Sequence, residues 1–227
     1  MKTSLCCRRI LPTLLLIFLC TSLAQANPDE NHHGMEIDSL AVMPFASADK
    51  PVDKKKSIEE FVDCKIFGLC SWKKEDNGAK IITTLYQQQL RTKIGHKVLP
   101  TGQTEAIFSE LTPGKEETLR NTAKLFGKAT RASHVLTGTV WRYTERVGNP
   151  MSAEKPASVG FNVMLVRTMD GVILWNENYD KTQNSLAENL LDAPMFVIKG
   201  MKWLSAEELA SFGVEKTLRS FPAVTGP

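Results

Sequence analysis

Residues 161–175 read FNVMLVRTMDGVILW, two apolar runs separated by Asp170-Gly171. Short runs rich in Val, Leu and Phe suit strands, and Asp-Gly adopts the backbone angles of a tight two-residue hairpin. This predicts antiparallel strands over residues 159–169 and 172–180. The stretch SHVLTGTVWRYT at 133–144 has the same character, so the three make a β-meander. The link at 145–158 carries Gly148, Pro150 and Pro156 and is expected to protrude.

Upstream the period changes. IDSLAVMPF at 37–45 reads as a mostly buried strand with Pro44 marking its exit. Asp76-Asn77-Gly78 offers cap chemistry for a helix through about Lys93, with Ile82, Tyr86 and Leu90 on its core face and the Gln87, Gln88, Gln89 run mainly outside it. Gly95 sits where that helix should stop, and HKVLP at 96–100 reads as a short second strand. Helices follow at 103–110 and 115–128, the latter with Leu119, Ala123 and Phe126 along one stripe. Alternating strand and helix supplies the crossovers that parallel strands need. The expected fold is therefore α/β (α+β): a three-layer-type mixed sheet, a parallel βαβαβ part followed by an antiparallel meander, with helices packed on it.

The division expected is a cleaved signal peptide at 1–26, a flexible arm at 27–36, a core domain at 37–182 with a Cys-containing insertion at 46–77, and a C-terminal helical tail at 183–227 packed on the core. Ser185 with Glu188 and Ser205 with Glu208 have capping-box spacing, so each should start a short helix. Between them lies the apolar stretch APMFVIKGMKWL at 193–204.

The leader explains the charge. The 227 residues hold 28 Lys+Arg and 25 Asp+Glu, a formal +3. Lys2, Arg8 and Arg9 stand before an apolar run at 10–20, with Ala24 and Ala26 at signal-peptidase spacing. Removing those three bases leaves 25 against 25, so the body is neutral and shows no Lys/Arg block. That argues against nucleic acid and anionic lipid as partners, which both need local positive charge. The run is shorter than the roughly 20 residues of a spanning helix. Lipid attachment at Cys20 would tether the protein to a membrane, but bulky Leu19 stands where a small residue belongs, so the periplasm is the expected compartment.

After the leader, two cysteines remain, Cys64 and Cys70. In an oxidising compartment an even pair at this spacing is most simply a structural disulfide. Buried thiols are the plain alternative. A redox or metal site is the sharper one, and it lacks both Cys-x-x-Cys and a His at zinc-motif distance.

Catalytic signatures are missing. There is no Gly-x-Ser-x-Gly elbow, His-Glu-x-x-His pair or Gly-x-Gly-x-x-Gly loop. His96 and His134 read as edge histidines with no recognisable nucleophile beside them, though His134 or Glu177 would be the residues of an unrecognised hydrolase. By strand alternation Glu177 shares a face with Trp175 while Asp180 points to the other, so those two carboxylates cannot flank one bond. Trp141, Tyr143, Trp175 and Tyr179 offer a stacking platform for a glycan or small ligand, and Trp203 joins them as a candidate binding residue; packing against helices is the plainer role. No catalytic residue, cofactor or metal ligand is assigned.

Three stretches carry a resemblance. Residues 37–45 resemble an opening IAVLPF strand. HVLTGTV at 134–140 resembles an A-D-x-V-L-x-G-x-V strand, with Ser133 where Asp commonly stands. Residues 161–175 resemble a hairpin ending in T-x-D/T-G-x-x-x-W. The chain is thus similar, over roughly 37–180, to the CsgG-like curli secretion lipoproteins, the LpoB-like activators of penicillin-binding proteins and the TolB N-terminal domain. The tail at 183–222 resembles a recurrent ending of exported proteins with this core. The resemblance implies the α/β architecture of these envelope proteins; export, the missing catalytic constellation and two long excursions point to a non-enzymatic accessory in envelope assembly, secretion or cell-wall regulation. Its partner would be another envelope protein, met through the stretches at 46–77 and 145–158.

Overall fold

The computed structural model describes residues 35–48, 77–111, 118–183 and 202–225. The expected signal peptide, Cys64 and Cys70, and the helix expected at Ser185 lie outside the described residues. In chain order the elements are β1 (Met35–Glu36), β2 (Leu40–Val42), β3 (Ala46–Ser47), α1 (Asn77–Ile94), a 3-10 turn (Gly95–Lys97), α2 (Thr101–Glu110), α3 (Leu119–Thr130), β4 (His134–Thr144), β5 (Val147–Asn149), β6 (Ser152–Lys155), β7 (Ser158–Arg167), β8 (Ile173–Thr182), α4 (Ala206–Leu218) and β9 (Val224–Thr225).

Five strands form a mixed sheet in the order β2-β4-β7-β8, with β3 also on β4. β2 and β3 run parallel to β4, and β4, β7 and β8 form the antiparallel meander. This is the mixed α+β architecture that the sequence predicts. Beside the sheet, β1 pairs with β9 in parallel, joining Met35 to Val224 and Glu36 to Thr225.

Two apolar layers explain why β4 reads as a nearly unbroken buried run rather than an alternating one. On the front face, Leu136, Val140, Phe161, Val163 and Leu165 pack against Ile82, Tyr86 and Leu90 of α1 and Leu209 and Val214 of α4. On the back, Val135, Met164 and Val166 pack against Leu119, Ala123 and Phe126 of α3. Tyr86 anchors the front layer: it stacks on Phe45 at 5.3 Å and meets Phe161 edge-on at 6.0 Å. Its hydroxyl lies 2.6 Å from Thr217 Oγ1, which itself donates to the Val214 carbonyl, so Tyr86 is the donor. Burial pushes the Tyr86 hydroxyl far above its ordinary range, which keeps that donor protonated.

Four local expectations change. Pro44 interrupts the first strand without ending it: Val42 faces Leu136 and Ala46 faces Thr139, so the ladder skips and resumes. Proline has no N–H to give, and the Phe45 N–H turns away to Thr83 Oγ1 at 3.0 Å. The strand expected at 96–100 shrinks to one bridge, Val98 with Leu40, squeezed between the 3-10 turn and Pro100, which caps α2. Gln87 is buried, because α2 returns against α1 and its amide meets Thr101 and Thr104. The meander turn is a four-residue loop, 168–171, closed by Arg167 N–H to Val172 O at 2.9 Å and Gly171 N–H to Arg167 O at 2.8 Å.

Other signals hold. Gly95 takes φ +60 where α1 stops, and Ser205 with Glu208 forms a complete capping box on α4. Leu119, Ala123 and Phe126 are all buried.

Gly213 gives the front layer a test. A Cβ there would stand 2.5 Å from the Tyr179 ring. Alanine normally gains about 1 kcal/mol over glycine inside a helix. Gly213→Ala is instead expected to lose about 1–3 kcal/mol, because the ring cannot yield in a packed layer. A denaturant midpoint at or above that of the wild type would contradict this packing.

Candidate functional site

Three regions bring chemistry-bearing side chains together. The first is the polar half of the back face, beyond the apolar residues that α3 packs against. The register aligns Thr139, Asn162 and Asn178 across three strands. Asn162 is 1% exposed, and its amide nitrogen donates to Asn176 Oδ1 and Asn178 Oδ1, each at 2.6 Å. Next along, Trp141 lies over Gly160, where any side chain would collide with the indole. The β4 ladder slips between Val140 and Arg142, and this bulge brings Trp141 and the Arg142–Asp180 ion pair to the same face. Among the described residues, Thr139 Oγ1 and Trp141 Nε1 are buried without a hydrogen-bond partner.

The aromatic platform therefore divides. Only Trp141 belongs to the back face. Tyr143 packs over Gly78 of α1, and Tyr179 over Gly213 of α4. Trp175 meets Phe221 edge-on at 5.2 Å and donates to Ser220 Oγ at 3.2 Å. Glu177 accepts from the same Ser220 hydroxyl at 2.9 Å, which fixes it on the face of Trp175, as alternation requires.

The second region surrounds His134. Ser39 and Ser133 clasp the start of β4: Ser39 N–H donates to Ser133 Oγ at 3.1 Å, and Ser133 N–H to Ser39 Oγ at 3.0 Å. The Ser133 hydroxyl donates to the Ser39 carbonyl at 2.8 Å. With its proton committed there, Ser133 Oγ accepts from His134 Nδ1 at 2.9 Å, so Nδ1 carries the ring proton. Such a serine has neither a proton directed at the imidazole nor a free lone pair, and the pair is a brace rather than a nucleophile and its base. His134 and Glu177 are two strands apart and four residues offset along the sheet, about 13 Å in the strand direction alone. They do not share a site.

The third region is the link at 145–158. It is a formed hairpin, β5 against β6, with Gly148 at φ +111 and Asn149 Oδ1 accepting from the Met151 and Ser152 N–H groups at 2.9 Å. Met151 is 82% exposed. The hairpin is fixed to the C-terminal segment: Trp203 N–H donates to Pro150 O at 2.8 Å, Arg146 Nη1 to Trp203 O at 2.9 Å, and Ala206 N–H to Glu145 Oε2 at 3.0 Å. Trp203 thus braces the hairpin. Sequence reading placed Trp203 in an apolar segment and the hairpin in a loop; the pairing between them is non-local and leaves no sequence signal.

Among the described residues, no cluster of three or more His, Cys, Asp or Glu is placed to hold a metal ion, and no helix is long and apolar enough to cross a membrane.

No family model matches the chain, and no curated protein matches it. Solved structures do. PelC from Paraburkholderia phytofirmans, described as a dodecamer, is 14% identical with TM-score 0.45, covering 83% of this chain and 89% of that one. The lipoprotein GNA1162 from Neisseria meningitidis is 16% identical with TM-score 0.39, covering 71% and 98%. LpoB of E. coli is 13% identical with TM-score 0.37, covering 81% and 84%. The structural neighbours thus include LpoB, one of the families that the strand motifs resemble, at low sequence identity.

His134 yields a pH dependence. Burial holds its imidazolium below the ordinary value of 6.5, with Arg167 acting in the same direction and Asp38 against it. The unfolded chain then binds the proton more readily, so stability falls as pH drops through about 6.5 and the loss levels off below the folded value. Urea midpoints at pH 8 and pH 5 should differ in this sense, and His134→Gln should reduce the difference. An unchanged difference would show that His134 does not carry it.

Proposed function

We propose that this protein is an exported, non-enzymatic envelope accessory that recognises another envelope protein, with the β5–β6 hairpin as its contact. The observation that carries the proposal is the hairpin's build. Val147 and Met151 are 47% and 82% exposed on an element held by three hydrogen bonds to residues 203 and 206, two at its base through Glu145 and Arg146 and one at its turn through Pro150. An exposed methionine on a pre-ordered support costs little entropy on binding and adapts its shape to a partner. The same reading takes residues 1–26 as a removed leader, the periplasm as the compartment, and Cys64–Cys70 as a disulfide shaping the stretch at 46–77. A photoreactive residue in place of Met151 should give one discrete adduct with an envelope protein. The same residue in place of Lys80, exposed on α1, should give none. Met151→Asp should weaken the captured complex about tenfold. Equal labelling from both positions would count against the hairpin.

One observation favours a second reading, a glycan-binding surface on the back face. Trp141 lies over Gly160, on the same face as the amides of Asn162, Asn176 and Asn178. An aromatic ring next to fixed amides is the chemistry that meets a sugar's C–H face and hydroxyls. Trp141→Ala should then abolish binding to envelope glycans while Trp175→Ala, on the opposite face, leaves it intact. Loss in both variants, or in neither, would remove this reading.

A further inference from the structure

Arg120, Lys124, Lys128 and Arg131 recur at spacings of four, four and three residues, which keeps them together along one side of α3 and its cap. Leu119, Ala123 and Phe126 occupy the other side, against the sheet. None of the four enters a salt bridge among the described residues. Two observations bring the meander turn onto this strip. A Cβ on Gly171 would lie 3.6 Å from Lys124 Cδ and 3.8 Å from Arg120 Cγ. Farther along, Lys128 and Arg131 line an open groove of about 630 Å³ together with Arg167 and Met169. Among the described residues, Asp38 lines the groove, and Asp170 is taken up by a two-pronged pairing with Arg167. On either side of Asp170 the turn projects two apolar side chains, Met169 77% and Val172 43% exposed.

We propose that this strip docks on an anionic membrane surface, its cations meeting lipid phosphates while Met169 and Val172 enter the headgroup layer. Unpaired lysine and arginine gathered beside projecting apolar side chains is the composition of a peripheral membrane contact. An anionic polymer would use the cations but gain nothing from an exposed Met and Val. The neutral charge of the body conceals the strip, since four cations at helical spacing form no block in sequence. This gives the protein a route to a membrane that needs no lipid on Cys20.

The test is co-sedimentation of the full chain with vesicles of phosphatidylcholine alone and with added phosphatidylglycerol, at low and high salt. Binding should require phosphatidylglycerol, fall with salt, weaken about tenfold in Lys124→Glu/Lys128→Glu and several-fold in Met169→Asp. Wild type and variants are identical outside the substituted positions, so the difference between them reports the strip. Arg131 holds φ +58 at the helix cap, a conformation glycine adopts freely. Arg131→Gly should therefore keep or raise stability while still weakening binding several-fold, which separates docking from folding. Binding indifferent to phosphatidylglycerol, binding unchanged by the double charge reversal, or binding unaffected by Met169→Asp overturns the proposal; the last result would leave a charge-only site suited to a polymer.

Discussion

Strand β4 must satisfy neighbours on all four sides, and the remaining structure is arranged around that demand. One edge receives β2 and β3 in parallel, the other receives β7 in antiparallel, and each face lies under helices. No spare room exists at its centre. A side chain at Gly138 would run into the Asn162 carbonyl and the Phe45 ring, so the strands approach closely only because that position has none. The far end of the strand, by contrast, tolerates a bulge, and the β4–β7 ladder has its slip there, after Val140.

The asymmetry of cover follows from this. α1 and α4 close the front layer along its length, and Phe45, Tyr86, Phe161 and Tyr179 form a continuous aromatic chain inside it. On the back, α3 covers Val135, Met164 and Val166, and beyond it the row turns to Thr139, Asn162 and Asn178. Along this face the packing passes from Met and Val to hydroxyl and amide while Thr139 and Asn162 stay buried. The Asn162 amide spends both hydrogens on its neighbours, which holds the row in one arrangement rather than leaving it to rearrange.

Much of this was legible in the residues, and the limits have physical reasons. Apolar periodicity placed α1, α3 and the three long strands because those elements are defined by burial, and the capping box at Ser205 is a local interaction between residues three apart. The turn after Arg167 is longer than Asp-Gly predicts because that dipeptide indicates positive φ at Gly171 but does not fix how many residues precede it; the Arg167–Asp170 pairing stabilises a longer loop. Gln87 looked like a surface residue until α2 folded back to supply Thr101 and Thr104 as partners. The candidate site was least legible. Strand parity could separate Glu177 from Asp180, but whether Trp141 shared a face with Tyr143 depended on the bulge, and the basic strip depended on a turn 40 residues from Arg131 in sequence closing on α3.

The pairing of β1 with β9 links the two ends of the folded body. Because that join is only two residues long and lies outside the main sheet, tension on the polypeptide ahead of Met35 is resisted first by Val224 and Thr225, not by β2. A two-residue ladder outside the main sheet is thus the first contact to yield. A pull strong enough to peel the short ladder falls next on Ile37, locked in the front core, and then on β2.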